Sequence, residues 1–195
     1  FLQARMKLTL SQEKTLITDI RKKHIRFLGY EFKMVPGKSR RGYIPRTLPD
    51  RDRLKRKVDQ IAEEIKKIPA NYSKEQLISE INRINSKVRG VIQYYQCCTW
   101  VNISLNKHSR RLQLIAKSRL RQYKGKWIPA NETQNLPRIH QQHSQKIPSV
   151  KYRDIYIGFT ALSFCKWERT APKNQEETPY TEIGRQLNFE RTKKR

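Results

Sequence analysis

Residues 73–95 read SKEQLISEINRINSKVRGVIQYY, and this stretch decides the fold class of the chain. Ser73, followed three residues later by Gln76, forms a capping box, the pattern that starts an α-helix. Behind it, apolar side chains recur every three or four residues: Leu77, Ile81, Ile84, Val88, Val91 and Tyr95. That spacing places them on one helical face and predicts an amphipathic helix with a packing seam.

Two similar stripes flank this segment. The earlier one ends at Pro69, which stops a helix, and consists of Leu54, Val58, Ile61, Ile65 and Ile68. The later one ends near Gly125 and consists of Leu105, Leu112, Ile115, Leu120 and Tyr123. Three amphipathic helices joined by short links predict a small helical bundle over residues 49–125.

The two ends of the chain have different patterns. Before the bundle, strands are predicted over residues 7–10, 15–20 and 25–32, with a polar hairpin turn at 21–23 and a basic loop at 38–41. After the bundle, prolines break the chain into short pieces, which predicts an irregular basic region. A strand or buried turn is expected at 156–164, and a frayed end over 190–195. The overall prediction is an α+β fold.

The composition points to a polyanionic partner. Lys and Arg number 43 against 17 Asp and Glu, which gives a net charge of +26 and a pI near 10.4. A compact body with that charge repels itself unless a polyanion neutralises it. No apolar run approaches the roughly 20 residues that span a membrane, so we expect a soluble, intracellular chain without a membrane partner. Because it starts at Phe1, we expect a fragment.

Between positions 101 and 130 the charge has one sign. This stretch holds no acid and eight cations: Lys107, Arg110, Arg111, Lys117, Arg119, Arg121, Lys124 and Lys126. A solvated charged face is the ordinary explanation for such a run, but those faces mix both signs. The pattern therefore favours a ridge that follows phosphates. Nearby aromatic residues could stack on unpaired bases; Tyr95 lies on the apolar seam and is expected to pack inside, while the role of Tyr94 stays open.

No catalytic constellation is visible in the sequence. The three cysteines form no CxxC pair, which argues against a disulfide framework or a four-ligand zinc site. His140 and His143 have a metal-like spacing without a third ligand nearby. The carboxylates lack the spacing that acid–base or two-metal chemistry requires, and no glycine loop for nucleotides occurs. The residues therefore indicate a binding protein.

Three motifs carry a resemblance to a known family. Residues 10–15, LSQEKT, followed by residues 27–30, FLGY, resemble the end of a reverse transcriptase palm and its primer grip. Further on, Arg89-Gly90 and Tyr94-Tyr95 are similar to the R-G-x-x-x-Y-Y signature in the thumb, or maturase X domain, of group II intron-encoded proteins. The likeness covers about residues 1–125. Residues 180–185 resemble, more weakly, the DNA-binding tail of that family.

The resemblance implies three regions: the palm end with its primer-grip hairpin over 1–48, the thumb or X domain over 49–125, and a DNA-binding-like region over 126–195. It implies binding of group II intron RNA, a primer–template duplex and target DNA, in RNA splicing and intron mobility. It also implies RNA-directed DNA polymerase activity with Mg²⁺ in the full-length protein, in a bacterial cytoplasm in preference to an organelle. No cofactor is expected on this segment.

The site residues follow from the motifs and the charge pattern together. Phe27, Leu28, Gly29 and Tyr30 are the primer-grip-like residues. The predicted RNA-binding residues are Arg89, Tyr94, Lys107, Arg110, Arg111, Lys117, Arg119, Arg121, Lys124, Lys126, Lys38, Arg40 and Arg41.

The sequence also departs from the family pattern. The Tyr-x-Asp-Asp turn that binds the polymerase metals is missing, as is a Cys-rich HNH module, and Val91 stands where many relatives carry Trp. The segment alone is therefore expected not to polymerise. Two alternatives stay open: an RNA-binding splicing cofactor without polymerase activity, and a basic ribosome-associated or DNA-binding structural protein.

Overall fold

The computed structural model describes Arg5, Lys7, Thr9, Ser11 and residues 17–168 and 181–193. In these residues the chain is an α+β protein with two small antiparallel sheets and three long helices between them. The predicted fold class is confirmed at this level. No helix in the described ranges is long and apolar enough to cross a membrane.

The first sheet consists of three consecutive antiparallel strands, β1 (Ile25–Phe27), β2 (Tyr30–Pro36) and β3 (Tyr43–Pro49). Phe27 pairs with Tyr30, so the hairpin turn is formed by residues 28 and 29. The turn predicted at residues 21–23 exists, but it precedes the sheet and connects no paired strands. The sequence misplaced the hairpin because the true turn lies inside an apolar run.

The other strand predictions fare differently. Residues 17–20 form no strand, and Ile17 is fully exposed, which corrects the strand predicted over residues 15–20. The start of that prediction, and most of the one over residues 7–10, lie outside the described residues. The basic residues 38–41 form the turn between β2 and β3, as predicted.

The helical bundle consists of α1 (Arg51–Lys66), α2 (Lys74–Tyr95) and α3 (Val101–Leu120), and α1 packs against both other helices. Asp50 caps α1, because its carboxylate accepts hydrogen bonds from the first-turn N–H groups. The capping box of Ser73 and Gln76 is present at the start of α2. The buried residues of the three helices include nearly all of the predicted apolar stripes; only Ile115 and Tyr123 are half-buried.

The end of α3 confirms the stop predicted near Gly125. After a short 3-10 turn, the Gly125 N–H donates to the Leu120 carbonyl over 2.9 Å. A Cβ on Gly125 would lie 2.6 Å from the Leu120 side chain, so this close return of the chain requires glycine. The left-handed residue of this stop is Lys124, with φ 56°, and the glycine that the sequence signalled lies one position later.

The C-terminal region is more regular than predicted. It contains a second sheet of β4 (Lys126–Pro129), β5 (Lys146–Tyr152) and β6 (Ile155–Gly158), followed by a 3-10 turn (Leu162–Phe164) and the helix α5 (Glu182–Lys193). A one-turn helix, α4 (Pro137–His140), connects β4 to β5. Pro148 lies within the central strand because proline removes only its own N–H, and its carbonyl still accepts from Phe159.

The second sheet shares one apolar core with the helices. Val150, Ile157, Phe159 and Leu162 belong to the same buried cluster as the stripes of the bundle. Asn85 is 1 % exposed in the middle of the α2 seam, where the side-chain pattern alone calls for an apolar residue. Its amide donates to the Gly158 carbonyl over 2.9 Å and accepts from the Thr160 N–H over 2.8 Å.

We predict that Asn85→Ala lowers the free energy of unfolding by about 1–3 kcal/mol, because it leaves the Thr160 N–H buried without an acceptor. The matched control is Asn106→Ala, which changes an exposed asparagine on α3 and should alter stability by less than about 0.5 kcal/mol. Urea unfolding followed by circular dichroism measures both. Equal effects of the two substitutions would contradict this role of Asn85.

Candidate nucleic-acid interface

The tip of the first hairpin is an exposed and conformationally demanding turn. Leu28 has φ 48° and Gly29 has φ 82°, the left-handed pair that a type I′ turn uses. Leucine rarely adopts this conformation, yet Leu28 and Phe27 are 62 % and 63 % exposed. Backbone strain combined with exposed apolar side chains is typical of functional turns rather than of folding elements.

Two tyrosines hold this tip against the end of α2. The Tyr94 hydroxyl donates to the Leu28 carbonyl, and the Tyr30 hydroxyl donates to the Tyr94 carbonyl over 2.5 Å. The Tyr30 and Tyr94 rings stack with centroids 5.1 Å apart. On the other side, the Gly29 carbonyl accepts from the Asp50 N–H over 2.9 Å, which ties the turn to the start of α1.

The neighbouring Tyr95 packs inside, as predicted from its place on the seam. Burial raises the pKa of Tyr95 to about 12, and burial also raises the pKa of Tyr30. Both phenols are therefore neutral near pH 7 and can donate hydrogen bonds. Tyr94 is 47 % exposed, so its ring forms part of the surface while its hydroxyl holds the turn.

A cleft of about 730 Å³ opens beside this turn, between α1 and α2. Its walls come from the turn, from most of the length of α1 (residues 53–64) and from the second half of α2. The charged residues that line it are Arg53, Arg56, Lys57, Glu64 and Lys87, and two glycines, Gly29 and Gly90, also line it.

The cleft is electropositive. Arg53, Arg56 and Lys57 are exposed, and within the described residues none of them forms an ion pair with an acidic residue. The one acidic lining residue, Glu64, is neutralised by Lys87 at 2.6 Å and by Arg83 at 3.1 Å. Three uncompensated cations along one helix make a site for phosphate groups.

Gly90 lines the cleft without a side chain. It lies in the interior of α2, where glycine costs about 0.5–1 kcal/mol relative to alanine. A Cβ on Gly90 would meet no atom within 4 Å, so packing within the protein does not require glycine here. Its effect is to leave the α2 backbone open to close approach from the cleft.

The predicted cations around α3 fall into two groups. Five of the eight are exposed and, in the part of the chain that the structure describes, have no acidic partner: Lys107, Arg110, Arg121, Lys124 and Lys126. The structure thus provides a basic surface along α3 and its C-terminal end. None of these residues lines the cleft.

The other three cations have partners inside the protein. Arg111 pairs with Asp59 of α1 at 2.5 Å, and this hydrogen bond lowers the pKa of the Asp59 carboxyl. The half-buried Lys117 donates to the Gly125 carbonyl, and the half-buried Arg119 donates to the Ile68 carbonyl just after α1. The basic surface is therefore narrower than the sequence predicts, because two of these cations bind backbone carbonyls at chain turns.

The remaining predicted residues lie apart from the cleft lining. Lys38, Arg40 and Arg41 are exposed in the turn between β2 and β3. Arg89 is half-buried, and its Nε has no hydrogen-bond partner among the described residues. Whether these four contact RNA stays a prediction.

The two histidines with metal-like spacing have structural roles. His140 is fully buried, and its ring nitrogens bond the hydroxyls of Thr133 and Thr160. Burial lowers the pKa of His140 to about 4, so the ring is neutral near pH 7. His143 stacks on Phe164 with centroids 4.2 Å apart. No group of three or more His, Cys, Asp or Glu side chains that could hold a metal ion occurs in the described residues.

The sequence prediction missed the cleft. The signal was present in residues 51–57, RDRLKRK, which place five cations at the start of α1. Their proximity to Gly90 and to the turn at residues 28 and 29 depends on packing between distant segments. Comparisons of the chain with protein-family models, curated proteins and solved structures find no match.

We predict opposite stability changes for two glycine substitutions. Gly29→Ala should lower the free energy of unfolding by about 1 kcal/mol or more, because alanine resists a φ of 82° and its Cβ would lie 3.4 Å from the Tyr94 hydroxyl. Gly90→Ala should raise it by about 0.5–1 kcal/mol, because the position is helical and open. Urea unfolding of both variants tests this, and two changes of the same sign would contradict it.

We further predict that Arg119→Ala lowers the free energy of unfolding by about 1 kcal/mol, because the Ile68 carbonyl loses a charged donor. The control, Arg110→Ala on the exposed face of α3, should change stability by less than about 0.5 kcal/mol. Thermal unfolding of the two variants separates the structural cation from the free one. A larger loss for Arg110→Ala would reverse the assignment.

Proposed function

We propose that the chain is the RNA-binding C-terminal part of a group II intron-encoded reverse transcriptase and maturase. In this proposal residues 1–48 end the palm and carry the primer grip, residues 49–125 form the thumb or X domain, and residues 126–195 are the DNA-binding-like region. The chain binds group II intron RNA, assists its splicing and supports reverse transcription during intron mobility. The RNA-directed DNA polymerase activity belongs to the full-length protein.

The observation that carries the proposal is the contact between two sequence motifs. The primer-grip-like residues and the Tyr94-Tyr95 pair are more than sixty positions apart, and each was identified by its own resemblance. In the structure Tyr94 bonds Leu28 and accepts from Tyr30, so the motifs form one cluster. Two accidental resemblances have no reason to meet in space. Their contact supports a primer grip packed against a thumb.

The lining of the cleft explains how the chain would bind a nucleic-acid strand. Arg53, Arg56 and Lys57 attract the phosphates of a strand, and the open backbone at Gly90 lets that strand approach α2 closely. The exposed Phe27 and Leu28 offer apolar contacts to sugars or bases at the same end. Because tyrosine hydrogen bonds hold the turn in place, it can position a strand end without being reordered on binding.

The basic surface on α3 supports binding of structured RNA as well. Lys107 and Arg110 are exposed and form no ion pair with an acidic residue in the described part of the chain, and the whole chain has a net charge of +26. Contacts to phosphates release counterions, so affinity should fall steeply with salt. A protein that binds the folded form of an RNA more tightly than its unfolded forms stabilises the fold, which is how a maturase assists splicing.

We predict that Gly90→Leu weakens binding of the full chain to an RNA–DNA duplex with a recessed 3′ end by about tenfold, because the side chain enters the cleft. The control is Ser79→Leu, an exposed position earlier on α2 that lies outside the cleft lining. Fluorescence anisotropy gives the affinities, and urea unfolding checks that Gly90→Leu keeps the fold.

The salt dependence provides a second readout of the same site. Replacing Arg53, Arg56 and Lys57 with glutamine should make the plot of log affinity against log salt shallower by about two units. Normal affinity in Gly90→Leu together with an unchanged slope in the triple variant would exclude the cleft as the duplex site, and the proposal would lose its main support.

A further inference from the structure

A regular stripe that the cleft does not use runs along the solvent face of α3, from Trp100 just before the helix to Arg121 just after it. Its members follow one another at intervals of three, four or seven residues, so they share one helical face: Trp100, Ile103, Lys107, Arg110, Leu114 and Arg121. We call this set the outer stripe. At 1.5 Å per residue it is about 30 Å long.

The apolar members of the outer stripe are unusually exposed. Trp100 is 55 % exposed, Ile103 58 % and Leu114 48 %. Trp100 and Ile103 are neighbours on this face, and adjacent exposed apolar residues of this size mark a surface that a partner covers. The cations between them have no acidic partner in the described residues, so the surface is both apolar and positively charged.

Trp100 is held in a fixed orientation. The Arg46 guanidinium lies over its ring, 3.8 Å from the centroid, and covers one face of the indole. The adjacent Thr99 N–H donates to the Thr47 carbonyl over 2.7 Å, which ties this turn to β3. More than half of Trp100 stays exposed beside this contact, so the indole offers accessible surface for stacking in a held orientation.

The backbone at Trp100 is in an unfavourable conformation for a tryptophan. Its φ is 54°, a left-handed conformation that glycine adopts readily and a bulky residue does not. Its side chain forms no capping hydrogen bond at the start of α3. An aromatic residue that is strained, exposed and held by a cation is typical of a binding site.

The outer stripe is separate from the cleft. No residue of α3 lines the cleft, and Arg111, which faces α1, is neutralised by Asp59. On α1, Glu63 likewise pairs with Lys66 at 2.8 Å. Neither ion pair includes a residue of the outer stripe or of the cleft lining. Because the two positive surfaces share no residue, each can bind a ligand independently of the other.

We propose that the outer stripe binds unpaired RNA nucleotides. A base stacks on the exposed surface of Trp100, further bases contact Ile103 and Leu114, and Lys107, Arg110 and Arg121 contact the phosphates between them. The length of the stripe suits a single-stranded site, since such sites cover about 4–16 nucleotides. This inference rests on the proposed binding of RNA and adds a second site that recognises single strands.

The order of residues along the stripe favours RNA over other partners. A helix that lies on a membrane separates a wide apolar face from a polar one, whereas here cations and apolar residues share the same face. A protein-docking face that carries these cations would need an acidic partner. One aromatic platform, two aliphatic side chains and three cations on the same face match a strand that presents both bases and phosphates.

The experiment makes Trp100 the only tryptophan of the full chain by the changes Trp127→Phe and Trp167→Phe. An unstructured RNA of about 12 nucleotides should quench the fluorescence of Trp100 on binding, because a base stacks on the indole. In the otherwise unchanged chain, Trp100→Gly should weaken binding of this RNA about tenfold. Glycine fits the φ of 54°, so the loss does not arise from misfolding.

Two further variants serve as controls. Trp167→Gly removes a tryptophan that is equally exposed, at 53 %, and should leave the affinity for the single strand unchanged. Trp100→Phe should restore most of the affinity, since phenylalanine still offers a stacking face.

The outcomes distinguish this inference from the proposed function. Full single-strand affinity in Trp100→Gly, with duplex binding still sensitive to the cleft variants, would overturn the outer stripe as a site and leave the proposed function intact. Quenching of Trp100 by phosphatidylserine vesicles but not by RNA would overturn it in favour of a membrane surface. Failure of the chain to bind either RNA or the duplex would overturn the proposed function itself.

Discussion

The buried face of α2 is the constraint on which the rest of the structure depends. Its apolar residues pack against α1, its polar Asn85 bonds the end of β6, and its last turn supplies Tyr94 and Tyr95 to the hairpin. Because one rigid helix contacts both sheets, the hairpin tip and the C-terminal sheet are placed relative to each other by a single element. Interiors are close-packed, so a shift of α2 would be felt at both ends of the molecule.

The hairpin tip shows how this packing prepares a site. A type I′ turn with leucine in a left-handed conformation is strained by itself. The hydrogen bond that the Tyr94 hydroxyl donates to the Leu28 carbonyl offsets this strain. The strained turn is thus held by α2, whose preceding turns line the cleft. The exposed apolar tip and the cations of α1 are held at a constant separation, which suits recognition of a strand that is apolar at its bases and anionic at its phosphates.

The cations of the chain fall into two groups: some bond to partners inside the protein, and others are exposed without an acidic partner in the described residues. Lys117 and Arg119 bind backbone carbonyls and Arg111 pairs with Asp59, so their charges stabilise the bundle. Arg53, Arg56 and Lys57 line the cleft, while Lys107 and Arg110 lie on the outer stripe. A cation without a partner on a rigid helix can contact phosphate directly. A cation that already donates to a buried carbonyl is held in place by that bond and is less able to contact phosphate.

Local signals in the sequence determined the helices, since the stripes, the capping box and Gly125 act over a few residues and were all found where predicted. They also indicated the basic character of α3 and the inward position of Tyr95. Only the tertiary structure decided the turn at residues 28 and 29, the second sheet with Pro148 in its central strand, and the cleft. Each of these depends on contacts between segments that are distant in the chain. Tyr94 holds the turn, β4 and β6 pair with β5, and α1, α2 and the first hairpin together form the cleft. Periodicity and turn composition report on neighbours within a few residues, so they carry no information about which distant surfaces meet.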